Sequence, residues 1–130
     1  MIELFADEKK CSLEEMTEHL ESLGSDSCSS MIIRAVADDR ERSLSIFSVC
    51  SGGEVVGYAI SMMQEDKEKH LTTSSSERRG FVEMVVGRKK GMILGKCILN
   101  EQQVKNAVLY FCQNVKPKPG SWWAEGALKS

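Results

Sequence analysis

The chain has 130 residues, of which 42% are hydrophobic and 28% are charged, so it suits one globular domain and is not a disordered polymer. Residues 1–30 hold eight acidic and two basic side chains, a net charge of −6, and the remaining 15 basic and 11 acidic side chains give +4. This distribution lacks the clustered basic face of a nucleic-acid-binding protein, whereas the acidic third can meet a basic partner.

The N-terminal segment lacks the features of an export signal. Met1–Glu8 has no basic region followed by an apolar one, and no apolar run in the chain approaches the ~20 residues that span a bilayer. We therefore expect a cytoplasmic protein that binds no membrane. The same segment predicts a short first strand over Met1–Phe5.

A capping box and an apolar stripe mark the first helix. The Ser12 hydroxyl can accept a hydrogen bond from the Glu15 amide while the Glu15 carboxylate accepts one from Ser12. Apolar residues follow at helical spacing, at Leu13, Met16, Leu20 and Leu23. Gly24 suits the left-handed position that ends a helix, so the sequence predicts a helix over Ser12–Leu23.

Alternating apolar side chains predict three strands in the next segment. They are Met31–Ala37, Ser43–Val49 and Val56–Met62. The charged turn Asp38–Arg42 separates the first two, and Ser51–Gly53 separates the second and third.

Residues 63–80 break this pattern, because a charged stretch ending at His70 is followed by threonine and serine. Structureless loops of this length are uncommon in compact domains unless they are functional or disordered. We predict a long flexible loop here.

A hairpin is predicted next, with strands Phe81–Val86 and Met92–Ile98 joined by Gly87–Gly91. The joining segment carries glycine at both ends and three cations between them. We interpret these cations as charges that keep an edge turn soluble.

The last helix has the clearest signals. Asn100 and Gln103 form a second capping box, and Pro117 and Pro119 end the helical pattern. The predicted buried stripe is Val104, Ala107, Val108, Phe111 and Val115. We expect residues 124–130 to be a frayed tail.

These elements predict one α+β domain over residues 1–130. Strands grouped between two helices favour a mainly antiparallel sheet of five to six strands. One helix lies near each terminus, and both helices are expected to cover the same face.

No pattern of residues predicts catalysis, a cofactor or a metal. The cysteines Cys11, Cys28, Cys50, Cys97 and Cys112 form no Cys-x-x-Cys motif and no Cys/His pair at metal-ligand spacing, which favours reduced thiols in a reducing compartment. Only His19 and His70 could serve as an imidazole base, and neither lies in a nucleophile motif. The glycines around Gly91 are similar to an acyl-CoA loop, but the residues after Gly91 predict a strand where that loop opens a helix.

The second half of the chain resembles a known family. Strands over Leu44–Phe47 and Gly53–Met62 precede a glycine-led hairpin and the helix Asn100–Phe111, in which Ala-x-x-x-Phe is formed by Ala107 and Phe111. A Pro-x-x-Trp ending, Pro119 to Trp122, follows. This order resembles immunity protein family 1 of bacterial polymorphic toxin systems.

The resemblance implies a small cytoplasmic antitoxin encoded beside its toxin. Such a protein binds the cognate toxin domain, often over its active site, and has no catalytic role. Some partners of the family are nucleic-acid deaminases, whereas others have different toxic activities. The chain departs from the family pattern in its long Gln64–Gly80 segment and in its doubled tryptophan.

The residues that carry the resemblance are expected to hold the fold, with Ala107, Phe111 and Trp122 packing the last helix onto the sheet. Toxin contacts are expected on exposed acids, since nucleic-acid-directed toxins have basic clefts. An exposed Trp123 is a further candidate anchor. The acidic candidates form three groups, namely Asp38, Asp39 and Glu41; Glu65, Asp66 and Glu68; and Glu14, Glu18 and Glu21.

Other interpretations stay open at the level of sequence. Each acidic group is also what an ordinary solvated surface contains. The chain could instead be another interaction module, such as a secretion chaperone or adaptor, or a small acyltransferase. The sequence does not determine the oligomeric state.

Overall fold

The structure is a computed structural model, and it describes residues 2–23, 30–64, 66–73, 80–87 and 89–129. Its helices are α1 (Leu13–Leu23) and α2 (Glu101–Asn114), and a short 3₁₀ turn covers Gly95–Cys97. The described strands are β1 (Glu3–Ala6), β2 (Lys9–Cys11), β3 (Ser30–Ala37), β4 (Arg40–Ser51), β5 (Glu54–Gln64), β6 (Lys67–Leu71), β7 (Phe81–Val86), β8 (Lys89–Leu94), β9 (Trp123–Glu125) and β10 (Leu128–Lys129).

All strand pairs of this sheet are antiparallel, so the predicted α+β class and antiparallel sheet are confirmed. The predicted count of five to six strands is wrong, because β2, β6, β9 and β10 also join the sheet. These four are short and rich in charge, so they lack the apolar alternation that marks a strand in sequence. The helix placement also differs, since two strands precede α1 and two follow α2.

Strand β4 is the centre of the sheet. One of its edges pairs with β5, and the opposite edge pairs with β3 up to Phe47 and then with β7 from Val49. The register between β4 and β5 shifts at Val49 and Cys50, which marks a β-bulge. The bulge lies where the edge changes partner from β3 to β7, so one long strand serves two parts of the sheet.

The second part of the sheet closes into a ring. Strand β5 pairs with β6, β6 with β9, β10 with β8, β8 with β7, and β7 with β4. Only Gly126 and Ala127 separate β9 from β10, and the amide of Leu94 donates a hydrogen bond to the carbonyl of Ala127 at 2.8 Å. The positive φ of 65° at Gly126 turns the chain between the two strands.

The helices pack on one face of the first part of the sheet. Buried residues of both helices, among them Met16, Leu20, Val104, Val108 and Phe111, share a core with alternate residues of β3, β4 and β5. The two predicted helices and most of their apolar stripes are therefore confirmed, although Leu13 and Ala107 are only half-buried. Gly24, the predicted helix stop, lies outside the described residues.

Both predicted capping boxes are present. The Glu15 amide donates to Ser12 Oγ at 3.1 Å, and the Ser12 amide donates to Glu15 Oε1 at 3.0 Å. At the second helix the Gln103 amide donates to Asn100 Oδ1 at 2.8 Å, and the Asn100 amide donates to Gln103 Oε1 at 2.8 Å. Each box satisfies helix N-terminal amides that have no intrahelical partner.

A second core fills the ring. It consists of Val49, Ala59, Val86, Ile93, Cys97, Ile98 and Ala127. The segment between the 3₁₀ turn and α2 crosses over β5, where Tyr58 and Leu99 exchange two backbone hydrogen bonds of 2.9 and 2.7 Å. This crossing connects the ring to the helical layer.

Two predicted irregular segments are corrected. The loop predicted over 63–80 is instead strand β5 to Gln64, a turn that includes Asp66, and strand β6, which is held between β5 and β9. Residues 74–79 of that loop lie outside the described part of the chain. The frayed tail predicted over 124–130 is wrong as far as Lys129, because β9 and β10 pair with β6 and β8.

The two tryptophans also exchange their predicted environments. Trp122 was expected in the core, but it is 78% exposed. Trp123 was expected at the surface, but it is half-buried and packs against the core beneath the helices. The reason is the pairing of β9 with β6, which turns Trp123 toward the same face as its partner Leu71.

Candidate protein-binding face

The sheet face opposite the helices is open. Because side chains alternate along strands, the residues that do not enter the helical core line this other face. Register places Ile32, Ser45, Ser61 and His70 in one row across β3, β4, β5 and β6. The surface formed by Phe5, Ile32, Arg34, Glu41, Ser43, Ser45, Ser61, Met63 and Glu68 is called the open face below.

The open face combines apolar and charged groups. Ile32 is 50% exposed and Met63 is 62% exposed, which is high for large apolar side chains. Arg34 lies 4.0 Å from the centroid of the Phe5 ring, a cation–π distance. Its guanidinium also donates to Glu41 Oε1 at 2.8 Å and to Glu8 Oε2 at 3.2 Å, and the bond to Glu41 is the main reason that the pKa of Arg34 is raised.

A pocket of about 260 Å³ lies on the open face. Glu41 and Glu68 line it together with Arg42, Ser43, Ser45, Ser61, Met62 and Met63. The serines leave room because their side chains are short, and the methionines provide an apolar wall. A long partner side chain with a cationic end fits this combination, since its stem can contact methionine while its charge meets a carboxylate.

The structure brings one residue from each of two predicted acidic groups to this pocket. Glu41 and Glu68 line it, while Asp38 and Asp39 are exposed at the β3–β4 turn nearby on the same hairpin. Asp66 is exposed at the β5–β6 turn and has a positive φ of 64°. Glu65 lies outside the described residues.

The third acidic group lies elsewhere. Glu14, Glu18 and Glu21 are exposed on α1, which packs on the opposite side of the sheet from the open face. Glu21 Oε1 also lies 3.7 Å from Lys105 Nζ on α2. The open face therefore excludes this group, and it excludes the half-buried Trp123.

His70 is a feature of this region that sequence analysis placed in a loop. Its side chain is 2% exposed, and among the described residues neither ring nitrogen has a hydrogen-bond partner. Burial lowers the pKa of His70 below its ordinary value of 6.5, and the nearby Glu68 carboxylate, with Oε1 at 3.8 Å from Nε2, partly opposes this shift. The histidine is therefore neutral where the open face meets the ring.

Two buried thiols, those of Cys97 and Cys112, are not activated nucleophiles. Burial raises the pKa of Cys97 to about 11 and that of Cys112 to about 12, so both are protonated near neutral pH. Strand β8 begins at Lys89, inside the segment predicted to join the hairpin, and ends at Leu94. The strand predicted over Met92–Ile98 is therefore confirmed only to Leu94, and Gly95–Cys97 form a 3₁₀ turn instead. Across the described ranges, no cluster of three or more His, Cys, Asp or Glu side chains could hold a metal ion.

Comparison with known proteins adds no assignment. The chain matches no protein-family model, no curated protein and no solved structure. Neither of the two described helices has the length and hydrophobicity that a membrane span requires. What the fold and the open face define is a class of architecture, an α+β domain whose sheet carries helices on one side and an uncovered mixed surface on the other.

Proposed function

We propose that this protein is a cytoplasmic immunity protein that binds a cognate toxin domain through the open face and covers the toxin's active site. The observation that supports the proposal most is the pocket in which Glu41 and Glu68, from two separate hairpins, meet between exposed apolar side chains. The resemblance of the second half of the chain to immunity protein family 1 supports the same function.

The composition of the open face suits a toxin that acts on nucleic acid. Such a toxin carries cationic side chains where it holds phosphates, and a carboxylate surface attracts these side chains and accelerates association. Ile32 and Met63 supply apolar contact area beside the carboxylates, and the centre of an interface contributes most of its binding energy. An interface of standard size, about 1,600 Å² in total, extends across much of the open face.

Glu68 is the carboxylate most available to a partner. Glu41 already accepts a hydrogen bond from Arg34, whereas the close neighbour of Glu68 is the neutral ring of His70. We therefore expect Glu68→Lys to weaken toxin binding by repelling a cationic cleft. Met63→Asp removes the adjacent apolar contact, and both side chains are more than half exposed, so neither change is expected to unfold the domain.

The test is co-expression with the C-terminal domain of the protein that the neighbouring gene encodes. Cells that produce both proteins are expected to survive. Cells that produce the toxin domain with the Glu68→Lys, Met63→Asp double variant are expected to die, although the melting temperature of that variant is unchanged. The matched control is Glu14→Lys with Glu18→Lys on α1, which is expected to keep full protection. If the toxin domain kills cells equally with and without the wild-type chain, the immunity function is contradicted. If the α1 control variant fails to protect while the open-face variant still protects, the proposed surface is contradicted.

A further inference from the structure

A second concave surface lies beside the ring, along the β7–β8 hairpin. Its volume is about 610 Å³, and Glu68 is the residue it shares with the pocket of the open face. Its lining includes the lysines Lys89, Lys90 and Lys129 and the apolar residues Phe47, Val86, Met92 and Leu128. This surface is called the lysine groove below.

The three lysines differ in how they are held. Lys90 Nζ lies 3.3 Å from Glu83 Oε1 in the same hairpin, so its charge is partly compensated. Lys129 Nζ lies 4.1 Å from the centroid of the Phe81 ring and pairs with no carboxylate among the described residues. Lys89 is exposed at the start of β8 and likewise forms no ion pair within the described part of the chain. Against these cations the described lining contains one carboxylate, Glu68, so the groove is net positive.

The floor of the groove is apolar and partly exposed. Met92 is 40% exposed and Leu128 is 38% exposed, and both line the groove. Register pairs Met92 with Lys129 and Leu128 with Ile93, so Met92 shares a face with Lys129 and Leu128 lies on the other face. Phe47, half-buried on β4, closes the other side. An apolar patch between cations is complementary to a segment that carries an apolar side chain between acids.

We propose that the lysine groove binds a short acidic segment of a partner protein that presents an apolar anchor. The anchor contacts Met92, one carboxylate pairs with Lys129 beside it, and a carboxylate further along the segment pairs with Lys89. A nucleic-acid strand satisfies the lysines but needs aromatic faces for its bases, and the one aromatic residue in the described lining, Phe47, is half-buried. The inference goes beyond the proposed toxin inhibition and uses other residues, apart from Glu68, which lines both surfaces.

The test uses the full chain and a fluorescein-labelled peptide, Asp-Glu-Asp-Phe-Leu-Asp-Glu-Asp, followed by fluorescence anisotropy at low salt. Two comparison probes are the same peptide with Ser-Ser in place of Phe-Leu and a single-stranded oligonucleotide of equal charge. We expect saturable binding of the first peptide that is at least about tenfold tighter than binding of either comparison probe. No saturable binding of the first peptide, equal binding of the serine peptide, or tighter binding of the oligonucleotide each overturns the proposal.

Two variants locate the site. Lys89→Glu is expected to weaken binding of the acidic peptide by about tenfold, since it replaces an attraction with a repulsion. Met92→Ser is expected to remove most of the preference for the Phe-Leu peptide over the serine peptide. Lys116→Glu, an equal charge change on an exposed lysine outside the groove, serves as the matched control. Equal loss in Lys89→Glu and Lys116→Glu indicates attraction by overall charge alone and overturns the assignment to the groove.

Discussion

His70 places an ionisable ring inside the protein, and neither nitrogen has a hydrogen-bond partner in the described part of the chain. Because burial lowers its pKa, the folded state holds fewer protons than the unfolded state once the pH falls below about 6.5. The free energy of unfolding is therefore at its full value above the unfolded pKa of His70, and it decreases as the pH falls from there toward the lower folded pKa. Each pKa unit between the two states corresponds to about 1.4 kcal/mol.

We expect the free energy of unfolding to decrease between pH 7 and pH 5.5, a window above the ordinary titration of carboxylates. His70→Leu removes the buried titration and is expected to flatten this dependence, as measured by urea unfolding at both pH values. His19→Gln, which changes the exposed histidine on α1, is the control and should keep the wild-type slope. A wild-type slope in His70→Leu would show that another group causes the pH dependence.

At the scale of elements, two kinds of signal made parts of the fold predictable. Both helices carry a capping box and an apolar stripe, and β3, β4 and β5 carry apolar alternation, so independent local signals agree with the final structure. Strand β6, with the sequence Lys-Glu-Lys-His-Leu, has no such signal. It exists because β5 and β9 supply hydrogen-bond partners on both edges, which only the tertiary fold provides.

The candidate site was predictable only as a set of residue types. Exposed acids in the charged turn Asp38–Arg42 and in the segment after Gln64 follow from the sequence. That Glu41 and Glu68 line one pocket depends on the pairing of β4 with β5 and of β5 with β6. Had residues 67–71 remained a loop, Glu68 would have no fixed position relative to Glu41. The lysine groove could not be predicted from the sequence, because its wall includes β10, a strand in a segment that was predicted to be frayed.

Gly57 controls how one element crosses another. A Cβ atom at this position would lie 2.6 Å from Ile98 Cγ2 and 2.8 Å from the Leu99 carbonyl oxygen, on the segment that passes over β5. Gly57→Ala is expected to push this segment away and to destabilise the protein by about 1–3 kcal/mol in urea unfolding. Gly120→Ala is a comparison of another kind, because a Cβ there meets no atom within 4 Å and its cost comes from the φ of 84°, which strains alanine. The crossing explanation fails if Gly57→Ala leaves the free energy of unfolding unchanged.

At the scale of the whole molecule, the sheet contributes residues to two separate cores, one beneath the helices and one inside the ring. The helical core stabilises the first part of the sheet and leaves the open face free, while the ring encloses the second core. The lysine groove lies along the β7–β8 hairpin and shares Val86 with the core of the ring. Both proposed binding surfaces therefore depend on strands that belong to the ring, since Glu68 lies on β6 and Lys129 lies on β10.

Because β10 helps to close the ring, we expect the last residues of the chain to stabilise the ring as a unit. Removing residues 127–130 deletes the buried Ala127 and the β10 partner of β8, so it opens the ring and exposes Ile93 to water. We expect a lower melting temperature and, in amide hydrogen exchange, the largest acceleration at Leu94, whose amide loses its bond to the Ala127 carbonyl. Amides of β3 lie in the other part of the sheet and should change less, which provides an internal control in the same sample. If the shortened chain keeps both the melting temperature and the Leu94 protection of the full chain, closure by β10 contributes nothing to stability, and the lysine groove loses one of its walls without any effect on the rest of the fold.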